Sequence, residues 1–237
     1  MRLLSVVGSP RKGRHTDVLA DQVGRGFAES GGTVEKVAVA DLDLRPCRGC
    51  FACMQDLDSV CAQRDDMTEL YVRLQEAQAL LWATPVYMWS PTAQMKLFLD
   101  RLFPFGDYQS TRWRCALKGA PVGLVLVYAD PDPLTSGVFH AHAILDIVAR
   151  ASGGAVVGTL HTPASDESSL ADNPDIMERA AQLGRKLAEA AAQRARPPVG
   201  GAIGGDSGDR RSSERPTGAT PVASPPLAGE TPPRSGG

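Results

Sequence analysis

Short aliphatic runs alternate with stretches whose apolar residues recur every three or four positions. The runs at 3–7, 34–39, 79–83, 122–127 and 155–160 are mostly aliphatic or β-branched. Such runs suit parallel strands that are covered on both faces. Helical periodicity occupies 16–29, 66–76, 91–102, 138–151 and 174–193. Ser90-Pro91 and Asn173-Pro174 each offer a capping side chain before a proline at the first helical position. Asp65-Asp66 offers a cap and negative charge at another helix start. Gly31-Gly32 and Gly153-Gly154 offer stops. Strand and helix alternate five times, which predicts a doubly wound five-stranded parallel sheet. For strand order 2-1-3-4-5, ligands bind where strands 1 and 3 end, at the point where the order reverses.

Two unusual loops fall at those ends. After strand 1 comes Gly8-Ser9-Pro10-Arg11-Lys12-Gly13-Arg14-His15-Thr16, which runs straight into a helix. Hydroxyls, basic side chains and a helix N-terminus together make an anion cradle. The glycine spacing of a dinucleotide fingerprint and the Lys-Ser/Thr ending of a Walker loop are both missing, so a monophosphate fits best. After strand 3 comes Thr84-Pro85-Val86-Tyr87-Met88-Trp89-Ser90-Pro91. A loop this apolar at the mouth of a sheet suits a flat ring shielded from water. The loop after strand 4 should rim the same pocket, with Asp130 and Asp132 serving its turn.

The motifs Gly8-Ser9-Pro10-Arg11-Lys12 with Thr16, Thr84-Pro85-Val86-Tyr87, Ala93-Gln94-Met95-Lys96 and Leu99-Asp100-Arg101 resemble the NADPH-dependent FMN reductase family. The resemblance runs over most of residues 1–162 and implies a flavodoxin-like fold. It implies that the first loop binds the FMN phosphate, with Ser9, Arg11, Lys12, His15 and Thr16 as candidates. It implies that Pro85, Val86, Tyr87, Met88 and Trp89 lie along the flavin ring. His15 stands where many members have asparagine, and Gly13-Arg14 replaces a small polar pair. The expected activity is transfer of electrons from NAD(P)H to a flavin, quinone or other small acceptor. The flavin supplies the chemistry, so no acid–base pair is needed.

The formal net charge is −2, which gives no reason to expect nucleic-acid or membrane-surface binding. It is also weak for an electron carrier of the flavodoxin type, which steers to protein partners with a large field. No apolar run approaches the roughly 20 residues of a membrane span, and no cleavable leader is legible, so the expected location is the cytoplasm. Apolar residues near Trp89, Phe103 and Phe105 predict a homo-oligomer, because exposed they would form a costly patch.

Four of the five cysteines, Cys47, Cys50, Cys53 and Cys61, lie close together after strand 2. In a reducing compartment this is no disulfide framework. The residues leave three readings open: a metal site, a redox centre or a structural thiol loop. The spacing, followed by Asp65-Asp66-Met67, resembles the iron–sulfur flavoproteins, a branch of the same family, and so implies a 4Fe–4S cluster on these four thiols. An electron relay between protein partners is then the alternative to a small-molecule reductase.

Beyond Arg196 the chain is rich in Gly, Pro, Ser, Thr and Arg and has no aromatic residue. Such a segment buries too little apolar surface to offset its ordering entropy. The expected organisation is a folded domain at 1–195 and a disordered tail at 196–237. Deleting residues 197–237 is therefore expected to leave flavin content and thermal midpoint unchanged in absorption and circular dichroism measurements. Loss of flavin or aggregation would move the domain boundary.

Overall fold

The computed structural model describes residues 1–55, 60–106, 116–164 and 169–195. The segment expected as a tail, and Cys115, lie outside the described residues. Five strands form the parallel sheet: β1 (Arg2–Val7), β2 (Thr33–Ala38), β3 (Ala79–Tyr87), β5 (Pro121–Tyr128) and β6 (Ala155–Pro163). A two-residue strand, β4 (Ser90–Pro91), folds back antiparallel on β3, with Tyr87 opposite Ser90. The sheet order is β2-β1-β3-β5-β6, the expected reversal between the first and third strands. Register runs Leu3 to Ala79, Leu80 to Val122 and, after a bulge at Val122/Gly123, Gly123 to Gly158.

Alternation along the central strands feeds two cores. Leu3 and Val7 of β1, Ala79, Leu81 and Ala83 of β3, and Val125 and Val127 of β5 face one side. There they meet α1 (His15–Glu29) and α6 (Pro174–Ala195). Leu4 and Val6, Leu80 and Trp82, and Leu124 and Leu126 face the other side. That side is covered by α3 (Met67–Glu76), α4 (Ala93–Asp100) and α5 (Val138–Ala151). A strand with helices on both faces cannot carry a polar side, so these runs are apolar apart from buried Ser5 in β1 and Thr84 in β3. A short helix, α2 (Ala52–Gln55), lies in the cysteine loop and has no periodicity that foretold it.

Two sequence expectations need correction. The third strand does not stop at Ala83. Proline has no N–H to donate, yet Pro85 stays extended and in register with Val127. Ser90 does not cap α4 either, because it sits in β4. Thr92 is the cap, and its hydroxyl accepts from Met95 N at 3.1 Å. At α3 the capping carboxylate belongs to Asp65, which accepts from Met67 N, while Asp66 accepts from Asp43 N.

Helices α1 and α6 cross backbone to backbone. A Cβ on Gly184 would lie 2.0 Å from Val23 O, and one on Gly26 would lie 2.2 Å from Ala181 O. Alanine favours a helix over glycine by about 1 kcal/mol. A backbone carbonyl cannot rotate aside, however, and forcing two packed elements apart costs about 1–3 kcal/mol. Gly184→Ala is thus expected to lower stability in urea unfolding. A stabilised variant would show that this crossing has slack.

Candidate functional site

The ends of β1 and β3 are tied by one hydroxyl. Besides capping α4, Thr92 Oγ1 donates to Gly8 O at 2.6 Å, and Thr92 N donates to Thr84 Oγ1 at 3.3 Å. Gly8 N donates to Ala83 O, continuing the parallel pairing into the loop. A Cβ on Gly8 would sit 2.6 Å from Met95 Cβ, so only glycine lets the loop pass under α4.

Beyond this tie lies a cavity of about 350 Å³. Ser9, Arg11, Arg14, His15 and Thr16 line one side, and Pro85, Val86 and Tyr87 line another. Val127, Tyr128 and Ala129 at the end of β5, with Ala164, complete it. Ser9 is buried, and its hydroxyl accepts from Arg11 N at 3.2 Å, which curls the loop. Gly13 adopts φ +67° and donates its N–H to Asp17 Oδ2 at 2.7 Å. Helix α1 then starts at His15 with no side-chain cap at Arg14. Among the described residues, the Nε2 atom of His15 is buried without a hydrogen-bond partner.

Acidic charge near the cradle is neutralised. Burial alone would raise the Asp17 pKa. The Gly13 N–H and the Lys36 ammonium outweigh that and hold it below the ordinary carboxylate value. Lys36 bridges Asp17 at 2.9 Å and Asp21 at 2.7 Å. The loop thus offers arginines, hydroxyls and a helix start to an anion.

Seven of the ten residues expected at a cofactor line this cavity: Ser9, Arg11, His15, Thr16, Pro85, Val86 and Tyr87. The other three do not. The Lys12 ammonium lies 2.7 Å from Asp41 Oδ2 and is drawn off the cradle. Met88 and Trp89 form the tip of the β3–β4 hairpin, at φ +46° and +59°. A two-residue hairpin of this hand matches the twist of its strands, but non-glycine residues are strained there. The Trp89 indole N–H donates to Thr135 O at 2.8 Å, and Trp89 packs where a Cβ on Gly137 would fall. Tertiary contact therefore holds the tip, and Trp89 is 59% exposed.

Arg14, Val127 and Ala164 line the cavity without having been singled out; only the strand end and the basic loop hinted at them. Asp130 and Asp132 serve their own turn, accepting from Asp132 N, Thr135 Oγ1 and Leu134 N. Phe105, expected at a subunit interface, is fully buried against Tyr71, and Phe103 packs edge-on to Phe51.

The four cysteines line a separate cavity of about 120 Å³ with Phe51, Tyr71 and Arg101. Cys47 and Cys50 are exposed, while Cys53 and Cys61 are half-buried. Burial, reinforced by Cys61, pushes the Cys53 thiol up. Among the described residues no three His, Cys, Asp or Glu side chains converge as a metal-holding group, so the expected ligand set is not assembled here. What organises this loop is an ion pair. Arg101 and Asp65, with side chains 1% and 0% exposed, meet at 2.5 and 3.0 Å. Arg101 also donates to Arg45 O at 2.7 Å and to Cys61 Sγ at 3.7 Å, and Tyr71 donates to Arg101 O.

Comparison with known proteins places this geometry. A family profile described as NADPH-dependent FMN reductase matches residues 1–161. An iron-sulfur flavoprotein of Archaeoglobus fulgidus is 33% identical over 196 residues, spanning 80% of each chain. An iron-sulfur flavoprotein of Methanosarcina thermophila is 34% identical over 101 residues, 43% of this chain and 52% of its own. The solved NAD(P)H:quinone oxidoreductase of Methanothermobacter marburgensis shares the fold. Its TM-score is 0.59 at 17% identity, over 79% of this chain and 96% of that one.

The Arg101–Asp65 pair can be tested directly. Removing one member of a buried pair strands the other charge and costs about 3–5 kcal/mol. Arg101→Ala is expected to lose that much in urea unfolding at neutral pH. Burial would raise the Asp65 carboxyl, but the Arg101 side chain and the Arg45 N–H more than offset it and hold its pKa below the ordinary value. Its contribution is therefore complete above the ordinary carboxylate range and lost as pH falls through the lowered folded value. A variant with unchanged stability and unchanged acid limb would remove this role.

Proposed function

The chain belongs to the NADPH-dependent FMN reductase family and is an FMN-dependent oxidoreductase, and from that premise we propose that it holds the flavin in the cavity between β1, β3 and β5. The observation that carries the assignment is His15. It lines the cavity beside an uncapped helix start, and its Nε2 is buried without a partner among the described residues. A buried polar atom left unsatisfied is costly, and a phosphate or hydroxyl oxygen would complete it. Ser9, Thr16, Arg11 and Arg14 supply the remaining donors for the phosphate. Pro85, Val86 and Tyr87 lie on the apolar side of the cavity, which suits the ring.

Bound FMN supplies the electron- and hydride-accepting ring. The chain's own residues then bind, orient and exclude water: the loop at 8–16 anchors the phosphate, and Tyr87 and Tyr128 wall the ring. NAD(P)H is the proposed donor, and a flavin, quinone or other small molecule the acceptor. No described helix is long and apolar enough to cross a membrane. Met88, Trp89 and Leu134 are exposed near the mouth and support a homo-oligomer in which a second chain would cover it.

A 4Fe–4S cluster on Cys47, Cys50, Cys53 and Cys61 is a second reading, favoured by one observation: all four thiols line the same cavity. The thiols as placed do not form a ligand set, so no step is routed through it.

The protein is expected to purify yellow and to release FMN on denaturation. Arg11→Glu should weaken FMN binding at least about tenfold, since a charge-assisted contact is worth roughly 1.5–3 kcal/mol. Colourless protein that ignores added FMN would overturn the flavin site. Anaerobic protein should carry about four irons per chain if the second reading holds. Iron-free protein after reconstitution, with flavin reduced directly by NAD(P)H, would eliminate the cluster.

A further inference from the structure

A third cavity, of about 570 Å³, opens beyond the end of β6. It shares Ala129 and Ala164 with the cavity assigned to the flavin, so the two adjoin along the carboxyl edge of the sheet. Pro131, Pro163, Leu170 and Ile176 give it apolar walls, and His161, Thr162, Asn173 and Arg179 give it polar ones. No carboxylate lines it among the described residues.

Among the described residues lining this cavity, Arg179 carries the fixed charge. Burial, with the neighbouring charges of His142 and Arg179, holds the His161 pKa below its ordinary value. Two described carboxylates on the flanking segments, Glu178 and Asp130, are engaged elsewhere. Glu178 is taken by Arg185 and Gln182, and Asp130 is held within its turn by Thr135 and Asp132. Arg179, exposed on the second turn of α6, makes no ion pair among the described residues.

Apolar walls wide enough for a ring and one arginine describe a nucleotide-like ligand. The volume is within the range of small-molecule sites, and a guanidinium fork matches phosphate oxygens. A ligand bound here lies beside the flavin cavity, since Ala129 and Ala164 line both. We propose that this cavity takes the adenosine-phosphate end of the NAD(P)H donor, with Arg179 as the phosphate contact. The proposal rests on the flavin reading of the adjoining cavity, since it gives the other end of the donor its destination.

Calorimetry on the full chain as purified, with adenosine 2′,5′-bisphosphate as the probe, tests it. The probe should bind wild type, and Arg179→Glu should weaken it about tenfold, the value of one charge-assisted contact. Phosphate-free adenosine should bind both proteins equally weakly. In turnover, Arg179→Glu should raise the KM for NADPH about tenfold, leaving kcat and the KM for menadione, an uncharged quinone, unchanged. The phosphate could instead belong to an acceptor such as free FMN. In that case the KM for that acceptor would rise and those for NADPH and NADH would not, which overturns the assignment. Wild type that ignores the bisphosphate, or a variant that binds it equally well, also overturns it. Arg179 is exposed, so retained bound flavin serves as the check on folding. Colourless wild type would sink the flavin site, whereas yellow wild type that ignores the probe would sink this inference alone.

Discussion

Thr92 holds together the two strand ends on which the site is built. Its hydroxyl accepts from Met95 N, starting α4, and donates to Gly8 O, 84 positions earlier in the chain. With Thr84 alongside and Gly8 N bonded to Ala83 O, the loops after β1 and β3 become one unit. Neither loop could line a defined cavity alone, because each would have to offset its own ordering entropy. The absence of a Cβ on Gly8 is part of the same device, since it lets the backbone pass beneath Met95.

Electrostatics refine what this scaffold offers. Lys36 absorbs Asp17 and Asp21, and Asp41 draws Lys12 aside. Arg11 and Arg14 line the cavity around an uncapped helix start. The hairpin tip shows a different economy. Met88 and Trp89 adopt left-handed conformations that a glycine would take freely. The Trp89–Thr135 hydrogen bond and the close fit on Gly137 stabilise them. That contact couples the loops after β3 and β5, so the Pro85–Tyr87 wall of the cavity is braced by both.

The cysteine loop is held by a different principle. A bidentate, fully buried arginine–carboxylate pair anchors it to the end of α4, and Tyr71 hydrogen-bonds the same residue's carbonyl. Such a pair is weak evidence of net stability but strongly disfavours rearrangement, because separating it leaves a charge in an apolar setting. The arrangement holds Cys61 beside a guanidinium while Cys47 and Cys50 stay in solvent.

The aliphatic runs, their spacing and the helix stops were enough to determine five buried parallel strands alternating with helices, because burial on both faces permits few other patterns, while the order 2-1-3-4-5 came with the resemblance to the flavin reductases. The same reasoning found seven of the lining residues, since hydroxyls, arginines and an apolar loop at two strand ends carry their chemistry locally. Tertiary structure alone decided the rest. Pro85 looked like a strand end until β5 and β4 were beside it, and Ser90 looked like a cap until Thr92 was seen to reach both Met95 and Gly8. Lys12 and Trp89 left the cavity because Asp41 and Thr135, distant in the chain, offered them better partners. Val127 and Ala164 entered it because the pairing of β5 with β6 brought them there, and Arg14 because it sits at the start of α1. Local sequence sets which groups a segment can offer. Which of them meet depends on non-local contacts whose energies no segment contains.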